Sequence, residues 1–287
     1  MTIYNLSMTE EKLKRWREEG RGTGEGADYL GWLTVHDINS QGNKHRFRES
    51  LHGRVCHWFS DAEYEVGMVF NACPYTTELL DQVALDFDET RAIAADAGIE
   101  YPRDPVTRVE IVMTTDIVAK VQTAAGVVKM PRSVKKPSAF GNFNDIEHAE
   151  IERRYWTARG WQWKFASNDP RVLPPALLTN VKLLEPHRFM HEDAHPYDGF
   201  IEDNAREMLR ALMTRRVSQT LGEFCTALDA HRGLDAGRAL KLAYYLISRH
   251  ELRADLSGLR LDRQDILDIR SRTVEWHQSG QAERGAA

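Results

Sequence analysis

Two extended runs, residues 109–122 and 127–135, meet at Thr123-Ala124-Ala125-Gly126, and this pairing constrains the fold more than any other stretch of the chain. Both runs are rich in β-branched residues, and a short connection containing glycine argues for an antiparallel hairpin. A turn centred on Ala124-Ala125 makes residue i face residue 249 − i, which sets Asp116 opposite Ser133. Directly opposed residues share a sheet face. Lys135, two positions further, shares it as well, whereas Lys136 points the other way. Pro131 is the weak point of this register, because a proline inside a strand marks an edge or a bulge.

The flanking segments make the first part α/β. Residues 8–19 and 144–159 read as helices, as does the short stretch 90–98 closed by Gly98. Ser60-Asp61-Ala62-Glu63 is an S-x-x-E capping box ahead of the apolar face of Val66, Val69 and Phe70. Residues 32–36 and 44–48 are short strand candidates around SQGN, and 161–167 is another. The glycine run RGTGEG at 21–26 follows a helix and not a strand, so it does not fit a nucleotide-binding loop.

Three prolines in NDPRVLPPALL mark a boundary, dividing the chain into 1–170 and 171–287. Beyond it the pattern is helical at 203–216, 219–230 and 235–250. Two short strands are expected about Ser257-Gly258, followed by a final short helix or strand. Three helices and a hairpin are the parts of a winged helix-turn-helix.

Bulk properties exclude several classes. At 287 residues, 42% apolar and 28% charged, the composition is that of an ordinary globular protein. No window is apolar enough to span a membrane, and the polar N-terminus lacks a signal-peptide core. Three cysteines without a CxxC pair argue against structural zinc and for a reducing cytoplasm. The net charge of −5 argues against indiscriminate coating of nucleic acid, without excluding a local DNA-binding patch. HRFMHEDAHP, at 187–196, has the look of a metal tract but sits in the turn-rich segment after the boundary.

Glu63, Asp116 and Lys135 are the candidate chemistry. Phosphodiester cleavage needs an attacking water and stabilised charge on the phosphoryl and leaving oxygens, all of which Mg²⁺ can supply. Mg²⁺ takes hard oxygen ligands and keeps several waters, so two carboxylates and a carbonyl suffice. A lysine adds positive charge without competing for the metal. Each residue also has a plainer reading: Glu63 as a helix cap, Asp116 as a strand-end acceptor, Lys135 as part of a solvated basic run with Arg132 and Lys136.

The chain resembles the TnsA family, the endonuclease subunits of heteromeric cut-and-paste transposases. The resemblance is carried by EGRGTGEGADYLGWLTVHDI at 19–38, HGRVCHWFSDAEYEV at 52–66, LLDQVAL at 79–85, ETRAIAADAGIEYP at 89–102, MTTD at 113–116 and IERRYW at 151–156. It implies a restriction-endonuclease-like α/β fold for the N-terminal domain and, more faintly, a mainly α winged-helix C-terminal domain. The family's catalytic glutamate falls on Glu63 and its aspartate on Asp116. Its Q-V-K-P motif meets Ser133-Val134-Lys135-Lys136-Pro137. Ungapped counting from IERRYW selects Lys135; aligning on the proline selects Lys136. Metal ligands are then Glu63, Asp116 and, through its main chain, Ser133, with Mg²⁺ as cofactor and Mn²⁺ as its substitute. Glu152 occupies a matching acidic position, where it reaches a second metal or orients Lys135, or else is a surface charge. The implied partners are double-stranded DNA at transposon ends, a TnsB-type transposase and a TnsC-type AAA+ ATPase. Arg206, Arg210, Arg215 and Arg216 are candidates for phosphate contacts or plain solvated surface. Two other readings stay open: a non-catalytic adaptor for DNA and the regulator, and a stand-alone repair or restriction nuclease.

Overall fold

A computed structural model describes residues 7–37, 43–135 and 143–285, with side chains up to residue 278. Lys136 and the following proline lie outside the described residues. The chain divides into two compact units, Met1–Leu173 and Pro174–Ala287.

The first unit is built on a four-stranded sheet of order β3-β4-β5-β6, comprising β3 (Thr76–Ala84), β4 (Thr114–Thr123), β5 (Gly126–Val134) and β6 (Lys164–Ala166). The first two pairings are antiparallel and the last is parallel. Every β4–β5 pair from Thr123↔Gly126 to Ile117↔Arg132 obeys the 249 − i register, and Pro131 pairs with Val118 without shifting it. A separate ribbon joins β1 (His45–Arg48) to β2 (Val55–Trp58). The helices are α1 (Glu10–Glu18), α2 (Asp61–Ala72), α3 (Phe87–Ala97) and α4 (Phe143–Ala158).

One apolar layer lies where α3 and α4 meet the sheet, gathering Leu80, Val118, Ile151, Tyr155 and Trp156. Helix α2 is seated by a missing side chain: a Cβ on Gly67 would lie 2.8 Å from Cζ2 of Trp58, so only glycine lets the helix approach β2 this closely. The glycine run at 21–26 is likewise structural. Gly22 has φ +75 and a Cβ there would lie 2.6 Å from that of Ala84, while Gly26 N–H donates to Glu78 Oε1 at 2.6 Å.

Three expectations are corrected here. Residues 32–36 are not a strand; Asp37 Oδ2 accepts from Thr34 N–H, the Thr34 hydroxyl and Arg21, closing a turn over 34–37. The partner of β1 is β2, which has no counterpart in the expected elements. Strand β3, at the sheet's edge, was also not anticipated, because Asp81 and Gln82 interrupt its apolar run.

The second unit holds α5 (Pro175–Leu184), α6 (Phe200–Thr214), α7 (Leu221–Arg232), α8 (Arg238–Ser248) and α9 (Ile266–Gly285) around one core that includes Met208, Leu212, Leu221, Leu246 and Ile269. Thr220 and Glu223 form a reciprocal capping box at the start of α7. The expected hairpin at Ser257-Gly258 is not formed. Its backbone groups are taken by side-chain amides: Asn180 Nδ2 donates to the Leu256 and Leu259 carbonyls, and Gln264 Nε2 donates to those of Asp255 and Leu259. Groups so satisfied have no need of a ladder partner. The closing element is the 20-residue α9 and not a short helix or strand. Among the described residues no helix is long and apolar enough to cross a membrane.

Candidate active site

Four elements of the first unit each contribute one charged group. Glu63 sits in the first turn of α2, where Ser60 is the N-cap: Glu63 N–H donates to Ser60 Oγ at 3.2 Å, and the Ser60 hydroxyl returns a bond to Glu63 Oε1 at 2.9 Å. Phe59 N–H donates to Glu63 Oε2 at 3.0 Å. The capping geometry of S-x-x-E is thus real, and it also holds the carboxylate inside the protein, 7% exposed. Burial first, and then the Asp116 carboxylate, push its pKa up to about 8.

Asp116 lies in β4, one residue beyond the last ladder pair with β5. Its Oδ2 takes the next ladder donor, the N–H of Val134, at 2.7 Å. Asp116 therefore reaches across to the Ser133-Val134 end of β5, as the hairpin register requires. Ser133 is buried and pairs with Phe165 of β6. Lys135 follows, its N–H donating to the Ala166 carbonyl at 2.9 Å. Asp116 is the main influence raising the Lys135 pKa, opposed by burial and reinforced by Glu152, Asp145 and Glu63.

Glu152 is not a surface charge. It is 5% exposed on α4 and accepts from the Thr115 hydroxyl at 2.7 Å, and that hydroxyl in turn accepts from Trp156 Nε1 at 2.8 Å. Burial, then Asp116, raise its pKa to about 7. Glu63, Asp116, Lys135 and Glu152 are brought together with Asp116 as the common neighbour, and Ser133 directly precedes Val134, whose N–H Asp116 accepts.

Three residues of the site, Gln82, Thr114 and Thr115, escaped the sequence reading. Gln82, in β3, donates from Nε2 to Glu63 Oε2 at 3.4 Å and accepts from the Thr114 hydroxyl at 3.1 Å. Thr115 orients Glu152. The signal was present in both cases: a polar Asp-Gln pair inside an apolar strand, and two threonines directly before the aspartate. Asp81, beside Gln82, serves the scaffold, pairing with Arg54 at 2.5 Å and accepting His57 N–H at 2.7 Å while fully buried.

The donor set suits a hard divalent cation. Asp116 raises the pKa of both buried glutamates, a repulsion that a cation between them would relieve. Among the described residues no three His, Cys, Asp or Glu side chains form a ready metal cluster. A cation here would rest on two carboxylates, main-chain carbonyls and water, which Mg²⁺ accepts. The histidine tract offers nothing comparable: His195 uses Nε2 on the Met190 carbonyl at 2.8 Å and Nδ1 on Arg238 at 3.1 Å.

An acidic centre answered by a lysine, at the end of a mostly antiparallel sheet, suits an α/β protein of nuclease type. Comparison with known proteins agrees. The family model described as "TnsA-like endonuclease N terminal" matches residues 73–168, and "TnsA endonuclease C terminal" matches 173–256. The first match contains Asp116, Ser133, Lys135 and Glu152, with Glu63 just before it. The chain is also 34% identical over 246 residues to the transposon Tn7 transposition protein TnsA of Escherichia coli, covering 84% of each chain. The chain belongs to the TnsA endonuclease family.

Proposed function

We propose that this protein is a Mg²⁺-dependent DNA endonuclease that cuts the 5′ ends of a transposon in the cytoplasm. It would act with a TnsB-type transposase at the 3′ ends, under a TnsC-type AAA+ ATPase. The observation that carries this reading is the convergence of Glu63, Asp116 and Lys135, from α2, β4 and the end of β5, around one buried acidic centre.

Glu63, Asp116 and the main-chain carbonyl of Ser133 would hold the cation. When bound, Mg²⁺ supplies a lowered water pKa and positive charge at the phosphoryl oxygens, and Mn²⁺ can stand in for it. Lys135 keeps its proton, held by Asp116 and Glu152, and so offers a fixed positive charge to the nucleophile or the scissile phosphate. Glu152, tied to Thr115, fixes Lys135 from the α4 side.

The sheet order, with three antiparallel strands and a parallel fourth flanked by helices, supports a restriction-endonuclease-like reading of the first unit. In the second unit α6, α7 and α8 supply the helices of the winged-helix reading, with no β-wing among the described residues. We assign DNA and regulator docking to them, with the exposed Arg206, Arg210, Arg215 and Arg216 as phosphate contacts.

The test is a 5′-end nicking assay with the partner proteins present. Asp116→Ala and Lys135→Ala should each lose about 100-fold or more of the cleavage rate. Undiminished cleavage by both variants would overturn the proposal.

A further inference from the structure

Gln82 has the least expected backbone in the first unit. Three non-glycine residues among those described have positive φ: Gln82 (+47), Arg108 (+65) and His250 (+63). The last two lie in or beside turns, whereas Gln82 is inside strand β3. A left-handed residue in a strand is strained and persists only where its surroundings demand it. The pairs Asp81↔Ile117 and Val83↔Thr115 bracket Gln82 and set it opposite Asp116. Its carbonyl accepts from Trp32 N–H at 3.0 Å.

The side chain is 2% exposed, and each end of its amide is engaged. Oε1 accepts from the Thr114 hydroxyl and Nε2 faces Glu63 Oε2. An apolar residue would fill this space at lower desolvation cost, so the amide points to a polar task. Glu63 settles which way the amide lies: an ionised carboxylate only accepts, so the NH₂ group turns to Glu63 and Oε1 is left to the Thr114 hydroxyl, which donates to it. The two threonines of MTTD then divide the work, Thr114 acting on Glu63 through Gln82 and Thr115 acting on Glu152 directly.

We infer that Gln82 is a positioning residue, its strained backbone aiming an amide, locked by Thr114, that holds the Glu63 carboxylate in place toward Asp116 for a divalent cation. The inference rests on the metal-site reading given under Proposed function. Partners that orient metal ligands are typically worth about 10- to 100-fold in metal affinity.

The experiment is calorimetric titration of Mn²⁺ into the full-length chain without DNA, paired with thermal unfolding in chelator. The variants are Gln82→Gly, Thr114→Val and, as control, Asp116→Ala. Glycine adopts the left-handed backbone freely, which offsets part of the cavity and lost hydrogen bonds, so Gln82→Gly should still unfold cooperatively in chelator yet bind Mn²⁺ about 10- to 100-fold more weakly. A residue that only fills space would leave Mn²⁺ affinity alone, whatever its loss does to the unfolding temperature. Thr114→Val keeps Gln82 and unlocks its amide, giving a smaller loss of affinity in the same direction. Wild-type affinity in both Gln82→Gly and Thr114→Val, with binding lost in Asp116→Ala, would overturn the role of Gln82 alone. Equal Mn²⁺ uptake by wild type and Asp116→Ala would instead overturn the metal-site reading beneath it. If Gln82→Gly does not fold, the Thr114→Val titration decides.

Discussion

Glu63→Gln tests the electrostatics of the site in one substitution. Glu63 is an acid whose pKa rises from 4.5 to about 8 on folding, through burial and then Asp116. Between those values the unfolded chain releases the proton and the folded protein keeps it. Metal-free stability therefore stands in full below about pH 4.5 and declines as pH rises to about 8. At about 1.36 kcal/mol per pH unit the ceiling of that decline is about 5 kcal/mol. Glu63 shares the charge burden with Asp116 and Glu152, so about 2–3 kcal/mol is the working magnitude. Glutamine cannot titrate and removes this slope. It also meets the donors Phe59 N–H, Ser60 and Gln82 with one acceptor fewer, a loss of about 1–3 kcal/mol that does not vary with pH. The wild type should thus be the more stable near pH 5, and the gap should shrink or reverse by about pH 8. Urea unfolding in chelator, followed by tryptophan fluorescence, measures this. Trp16, Trp32, Trp58, Trp156, Trp161 and Trp163 lie in the first unit and Trp276 in the second, so the signal reports mainly on the unit that holds the site. Parallel wild-type and variant curves across that pH range would refute the reasoning.

Two further predictions concern the scaffold. Gly67→Ala gains helix propensity but drives a methyl to 2.8 Å from the Trp58 indole; we expect a net loss of about 1–3 kcal/mol in chemical denaturation and weaker Mn²⁺ binding as α2 carries Glu63 away. An alanine at 67 with unchanged stability would show that α2 is not held by that contact. Asn180→Ala removes three bonds to the 256–261 segment, at Leu256, Leu259 and Leu261, from a residue 1% exposed. It should cost roughly 2–4 kcal/mol and speed amide exchange at Leu261, and wild-type exchange there would contradict the account of the missing hairpin.

How much of this could be read from the chain depends on whether a feature is local. The β4–β5 hairpin follows from adjacent runs and one connection, so its 249 − i register came from arithmetic alone; the ladder keeps it as far as Ile117↔Arg132, and Pro131 did not disturb it. The cap at Ser60 and Glu63 was equally local. The Ser257-Gly258 segment misled because its turn residues look like a hairpin from within. What decides its shape is Asn180, from another part of the chain, and Gln264, whose amides occupy the groups a ladder would use.

By itself the sequence determined the hairpin, the helix caps, the family and the residue types able to do the chemistry, because these depend on neighbours within a few positions or on a pattern kept in order along the chain. Only the tertiary structure decided that Glu152 is buried against Thr115 and that β3 completes the sheet. It also decided that Gln82 bends its backbone to reach Glu63, nineteen positions away. Burial and charge repulsion act through space, and no local pattern encodes which distant carboxylates will be pressed together.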